Sequence, residues 1–307
     1  MSSVEPNADR VVRTDRLTPA EATEVLALAR LGGDADGADP FDEHTLLRLR
    51  DPQAAAGHLT ARATDGTLTG YAHLDTTEPE SGIGVELVVH PAFRRRGTGR
   101  ALVRGVLAAA SGPLRAWAHG DHPSAAALAV DLGFTRARVL WQLRRPLTAA
   151  VPPPRLPDGV TLRSFRPGAD DDAWLALNAR AFATHPEQGR WTIDDLRARQ
   201  AEPWFDPDGF LLAVDAAGRL LGFHWTKVHE RPGSARTGEV YVVGVDPDAH
   251  GGGLGRALTT AGLAYLRDRR GLDRVMLYVD ESNTAAVALY ERLGFARWCG
   301  HVNYHLG

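Results

Sequence analysis

The residues with the clearest chemical capacity in this chain are glycines. Two clusters, R-x-x-G-x-G at Arg94, Gly97 and Gly99 and H-x-x-G-x-G at His250, Gly253 and Gly255, each follow a β-prone segment and open an amphipathic helical one. Such a turn gathers unpaired backbone N–H groups at the positive end of a helix dipole, and glycine lets an anion approach the backbone closely, so the chemistry implied is phosphate binding. Spacing narrows the ligand. A P-loop needs Gly-Lys-Ser/Thr after its glycines, and the single lysine, Lys227, lies elsewhere. A dinucleotide fingerprint needs a third glycine where Leu102 and Leu258 stand. Both nucleotide readings fail.

The elements that must position these loops come twice. Placing Gly97 on Gly253, an offset of 156, also pairs Gly99 with Gly255, Arg100 with Arg256 and Leu102 with Leu258. Downstream, Gly133 and Phe134 match Gly294 and Phe295 at an offset of 161. Two matches in one order at nearly one spacing indicate a duplication. Length agrees, since 307 residues suit about two domains of ~100–200 residues each. The proline-rich stretch at 149–159, AAVPPPRLPDG, reads as a linker between halves at 1–148 and 160–307. In the second half, strand patterns fall at 160–165, 209–215, 219–229, 239–245, 273–279 and 296–306. Helical patterns fall at 171–182, about 254–269 and 282–293, the last with Ser282 placed as N-cap. The first half repeats this order, so the expected class is α/β, a mixed central sheet in each of two tandem domains.

Composition removes other classes. A net charge of −3 gives no electrostatic drive toward nucleic acid or anionic membrane, so any anion must be held locally. One cysteine, Cys299, allows no intrachain disulfide and no cysteine-rich metal site, and reads as a small buried hydrophobe. The HGDH stretch at 119–122 has too few partners for a metal, and no H-E-x-x-H occurs, so no metal is expected. Residues 1–10 lack a signal-peptide layout and no apolar run approaches ~18–20 residues, which fits a cytoplasmic protein; a monomer is expected. Of 35 basic residues 34 are arginine, which marks Lys227 as a residue retained for a reason.

The two glycine clusters, each set between a strand and an amphipathic helix and followed by a helix ending in Gly-Phe, resemble the GCN5-related N-acetyltransferase (GNAT) superfamily. That resemblance implies acetyl-CoA as cosubstrate, with the loop cradling its pyrophosphate. It maps cofactor contacts onto Val243, Gly244, Val245, His250, Gly251, Gly252, Gly253, Leu254, Gly255 and Arg256, and onto Asn283, Thr284, Ala285, Ala286, Val287 and Ala288. A second set falls in the first half at Leu87, Val88, Val89, Arg95, Arg96, Gly97, Thr98, Gly99 and Arg100. His250 departs from the superfamily's Gln or Arg at that place, which bears on affinity for coenzyme A. The superfamily's downstream signature stands intact at Asn283, Ala286, Tyr290, Gly294 and Phe295. By the resemblance, Tyr290 is the acid that protonates the departing thiolate, and Glu239 the base that takes the amine proton. Tyr290 aligns with Ala129 and Glu239 with Ile83, so the first half is expected to hold coenzyme A without chemistry. Plainer readings are a half-buried helix tyrosine, a solvated strand carboxylate, and Asn283 as a helix cap.

Further stretches, HPEQGRWT at 185–192, WFDPDGF at 204–210, GFHWTKVH at 222–229 and EVYVVGVDP at 239–247, resemble the tandem-domain acetyltransferases of actinobacteria that complete mycothiol. That resemblance implies transfer of acetyl to the cysteine amine of a cysteinyl-glucosaminyl-inositol conjugate, desacetylmycothiol. Substrate contacts then map onto Glu187, Lys227, Glu239 and Tyr278, with Glu43 from the first half. The alternatives are a tandem acetyltransferase for an aminoglycoside or a peptide N-terminus, and a coenzyme A-sensing module without catalysis.

Overall fold

A computed structural model of the chain describes residues 10–51, 56–77, 82–148, 151–230 and 235–307, with the side chains of Pro186 and Glu187 outside that description. Most of the N-terminal stretch read above and the first two residues of the proline-rich stretch therefore lie outside the described residues. Residues 151–159 carry neither helix nor strand.

Two compact units form, and neither is contiguous in sequence. Unit 1 takes Met1–Leu140, Asp280–Ser282 and Cys299–Gly307, and unit 2 takes Trp141–Val279 and Asn283–Trp298. This partition differs from halves at 1–148 and 160–307, because the closing strand of each half ends in the unit built by the other.

Unit 1 runs β1 (Arg10–Thr14), α1 (Pro19–Asp36), α2 (Glu43–Arg50), β2 (Gly57–Arg62), β3 (Leu68–Asp75), β4 (Ile83–Val89), α3 (Thr98–Ala109), β5 (Leu114–Ala118) and α4 (Pro123–Asp131). The helix starts are encoded locally: Thr18 and Glu21 form a capping box on α1, and Asp42 caps α2. β1 to β4 pair antiparallel, and β4 and β5 pair in parallel. The strand β6 (Thr135–Pro146) then carries the chain into unit 2.

Unit 2 repeats the plan as β7 (Thr161–Ser164), α5 (Asp171–Ala181), α6 (Pro186–Gly189), α7 (Ile193–Gln200), β8 (Phe210–Val214), β9 (Leu220–His229), β10 (Thr237–Val245), α8 (Leu254–Ala264), β11 (Arg274–Asp280) and α9 (Thr284–Arg292). The final strand, β12 (Ala296–Leu306), returns to unit 1, where Val302 to Leu306 pair antiparallel with Ala118 to Leu114. In unit 2 the flank of β11 is taken by β6.

Alternation along the strands of unit 2 sorts two cores. One face packs Val228, Val240, Leu277 and Leu143 under α8 and α9. The other packs Trp174, Phe210, Phe223 and Trp225 beneath α5 and α7, with the Phe210 and Trp225 rings stacked at 4.4 Å. The helix expected to reach residue 269 is α-helical to Ala264 and closes in a π-helical turn, Tyr265–Arg269. Asp206 ties this turn down through the Tyr265 hydroxyl and the Arg270 guanidinium.

Candidate active site

Each glycine loop owes its shape to two residues in the left-handed region. In unit 2 these are Gly251 (φ 91°) and Gly253 (φ 78°), the latter the N-cap of α8 with no side chain on the first-turn N–H groups. A Cβ on either glycine would meet nothing within 4 Å, so the approach to those N–H groups is open. Unit 1 has the same conformations 156 residues earlier, at Arg95 (φ 63°) and Gly97 (φ 94°). The departure at His250 is resolved by its hydrogen bond: the ring Nε2 reaches the Val245 carbonyl at 3.2 Å, just as Arg94 Nε reaches the aligned Val89 carbonyl at 3.2 Å. Both side chains brace the loop against the strand before it. Arg94 also forms a two-pronged ion pair with Asp36 at 2.6 and 2.9 Å.

The strand leading into each loop parts from its parallel neighbour. β10 pairs with β11 only from Gly238 to Val240, against Val275 to Leu277, and continues to Val245 with β9 as its partner. In unit 1, β4 pairs with β5 only from Ile83 to Val85 and continues to Val89 beside β3. Val243 to Val245 and Leu87 to Val89 thus lie where one strand edge is outside the ladder, able to hydrogen-bond an extended chain.

In unit 2 a β-bulge between Val240 and Val242 shapes the face above that edge. Lys227 and His229 of β9, Glu239 of β10, and Met276 and Tyr278 of β11 share this face. Glu239, 6% exposed, stands opposite Lys227 in register, and its Oε2 lies 2.6 Å from His229 Nε2. The Lys227 ammonium rests 4.3 Å from the Trp204 ring centre and 5.0 Å from that of Tyr241. The Tyr278 hydroxyl accepts a hydrogen bond from Gln142 Nε2 at 2.7 Å. Lys227, Glu239 and Tyr278 are therefore brought together. Glu43 opens α2 in unit 1, and Glu187 lies in α6 with its side chain outside the described residues.

On α9, Tyr290 is 7% exposed, packs edge-on against Phe295 at 5.7 Å, and has its phenol pushed up to about 12 by burial. Asn283, not Ser282, caps this helix: its side-chain oxygen accepts the Ala286 N–H at 3.1 Å, whereas the Ser282 hydroxyl bonds Asp280 at 2.6 Å. Thr284 to Ala288 form the first turns of α9.

Strand pairing also corrects the repeat alignment. Gly238 and Ile83 both begin the short parallel pairings, so Glu239 occupies the place of Gly84, not Ile83. The bulge adds one residue at Tyr241, which the constant spacing did not register. Neither Gly84 nor Ala129 supplies an ionisable group. Unit 1 instead carries an unforeseen buried chain of polar groups. Glu86 accepts the Asp42 N–H at 3.0 and 3.1 Å and meets His119 Nε2 at 2.6 Å. His119 Nδ1 lies 3.0 Å from His301 Nδ1, and His301 Nε2 lies 3.7 Å from the half-buried Cys299 sulfur. Burial pulls His301 down to about 3. Cys299 is thus a partnered thiol and not the plain hydrophobe expected. Among the described residues, no group of His, Cys, Asp and Glu could hold a metal ion, and no helix is long and apolar enough to cross a membrane.

Two loops of one geometry, each after a strand that parts from its neighbour, define a tandem acyltransferase of the GNAT class. The acetyltransferase (GNAT) family profile matches twice, over residues 27–134 and 173–295. A tandem GNAT protein from the clavulanic acid biosynthesis pathway superposes with a TM-score of 0.73 at 23% identity, over 97% of this chain and 98% of that one. A GCN5-related N-acetyltransferase from Sphaerobacter thermophilus superposes with a TM-score of 0.70 at 27% identity, covering 97% and 96%. The chain is 80% identical over 307 residues, all of both chains, to the mycothiol acetyltransferase of Salinispora tropica. It is 58% identical over 291 residues, 94% of this chain and 97% of the relative, to that of Thermobispora bispora. The chain belongs to the GNAT family and, within it, to the mycothiol acetyltransferases, and is an acetyl-CoA-dependent N-acetyltransferase.

Proposed function

We propose that this enzyme transfers acetyl from acetyl-CoA to the cysteine amine of desacetylmycothiol, giving mycothiol and coenzyme A by direct attack in a ternary complex. The observation that carries the reading is the Glu239 face of unit 2, where a buried, hydrogen-bonded carboxylate stands beside an ammonium and a phenol. The open glycines at the start of α8 suit the pyrophosphate of coenzyme A, and the parted edge of β10 suits its amide-bearing arm.

Glu239 takes the proton of the attacking amine, backbone N–H groups of Val243 to Val245 steady the oxyanion, and Tyr290 directs its hydroxyl hydrogen to the departing sulfur. An α-amine suits so plain a device. With a pKa of ~7.7–8.0 it costs only about 0.5 kcal/mol to deprotonate near pH ~7.5, against about 4 for a lysine side chain. Lys227, Tyr278 and Glu187 supply charged and hydroxyl partners for a substrate rich in hydroxyls. Unit 1, with the same loop but Gly84 and Ala129 in place of Glu239 and Tyr290, holds coenzyme A without turning it over.

An acceptor screen with acetyl-CoA, following the N-acetyl product by mass spectrometry, tests the substrate. Turnover of desacetylmycothiol should exceed that of aminoglycosides and peptide N-termini by orders of magnitude. Robust turnover of another amine without it would sink the assignment.

A further inference from the structure

We infer that His229 is the positioning residue for Glu239 in acetyl transfer, an assignment that rests on the reading of Glu239 as the base for the amine. A buried carboxylate makes a good base only if one oxygen is kept pointing at the amine while the group stays ionised. Glu239 meets the first need through His229: with its proton on Nε2, the ring donates to Oε2 at 2.6 Å and leaves Oε1 for the amine. A hydrogen bond of this length fixes the carboxylate's rotation. The backbone makes the contact local to one hairpin. His229 is the last residue of β9 and pairs with Thr237, two residues before Glu239, so its ring crosses diagonally to the carboxylate on the shared face. The side chain of Glu239 is 8% exposed and that of His229 31%, so the pair runs from the buried reacting group outward.

Among the described residues, charged and titratable groups near this pair have partners of their own. Lys227, two residues back on β9, sets its ammonium over Trp204 and Tyr241. Glu230 and Arg236 pair with each other at 2.9 Å at the exposed end of the hairpin. Tyr278 on β11 is held by Gln142.

The full-length enzyme is assayed with acetyl-CoA and desacetylmycothiol, alongside thermal melts. His229→Ala should lower kcat about 10- to 100-fold, the range expected for losing a hydrogen bond to a charged group, with KM for acetyl-CoA unchanged within about twofold. His229→Gln, whose amide N–H can donate to Oε2, should recover most of that loss. His229→Asn, polar but too short to reach, should resemble the alanine variant and guards against misreading an unfolded one. Equal activity of the alanine and glutamine variants, or a kcat in both alanine and asparagine variants equal to that of the parent, overturns the assignment. Glu239→Gln separates the two layers. If it is inactive while His229→Ala is fully active, only the role of His229 falls, whereas an active Glu239→Gln overturns the reading of the base and this inference with it.

Discussion

Tyr290 shows how one side chain answers to both packing and chemistry. Its phenol, pushed up to about 12 by burial, keeps its proton through any working pH. Full transfer to a thiolate of pKa ~8.5 would be uphill by about 5 kcal/mol, so its contribution is a hydrogen bond to the developing charge on sulfur. Tyr290→Phe is expected to lower kcat about 10- to 100-fold while KM for acetyl-CoA holds. Linkage gives a second readout. The folded pKa lies above the unfolded value of 10.0, so the native state binds this proton more tightly. The associated stability is whole below pH ~10 and is lost as pH rises toward ~12, on the order of 2–3 kcal/mol in all. Urea melts at pH ~9 and ~11 should show that loss shrinking in the phenylalanine variant. An equal loss in both proteins would mean that Tyr290 does not titrate in this way. At this scale the motif residues were legible because their spacing along one helix or loop is itself the signal. His229 was not, because its meeting with Glu239 depends on hairpin register, and Tyr241 was not, because a bulge leaves no trace in residue type.

The helix α8 carries the loop at one end and rests on the sheet by its middle. Gly262 sits on the buried His224 ring: a Cβ there would fall 2.1 to 2.6 Å from three ring atoms. His224 has no room to yield, since its Nδ1 is bonded to the Leu258 carbonyl at 2.8 Å and burial, which pulls its pKa down to about 4, keeps it neutral. Gly262→Ala should therefore destabilise by about 1–3 kcal/mol or more, outweighing the ~1 kcal/mol that alanine gains in a helix. Gly253→Ala is a different lesion. The space is open, but a side chain at φ 78° costs about 1–2 kcal/mol and its methyl enters the mouth of the anion site. Paired melts and kinetics should separate them: Gly262→Ala lowers the melting temperature with KM for acetyl-CoA little changed, and Gly253→Ala raises that KM. A Gly262→Ala protein as stable as the parent would contradict the packing described. Sequence periodicity predicted α8 well, but not the contact that makes Gly262 obligatory, because a helix face does not say how near its sheet lies.

At the scale of the molecule, the duplication was written plainly in the sequence, and the exchange of closing strands was not. β6 and β12 align at an offset of 161, so spacing alone would give each to its own half. Side chains decide otherwise. Against β5 in unit 1, β12 brings Val302, fully buried, with Asn303 at 3% and Tyr304 at 6% exposure. The aligned positions of β6 are Trp141, Gln142 and Leu143, followed by Arg144 and Arg145. A tryptophan in the place of a buried valine overpacks, and Arg145 in the place of Leu306 puts a charge where an aliphatic group stood. Val302 alone buries a side chain worth about 1.5–3 kcal/mol. A fragment of residues 1–148 is therefore expected to melt at a lower temperature than the same fragment with residues 299–307 joined through a flexible linker. Melting by circular dichroism, with size-exclusion chromatography to detect association through the open edge of β5, makes the comparison. If the bare fragment is monomeric and melts where the joined one does, β6 can fill the place of β12, and the exchange is set by connectivity and not by side-chain fit.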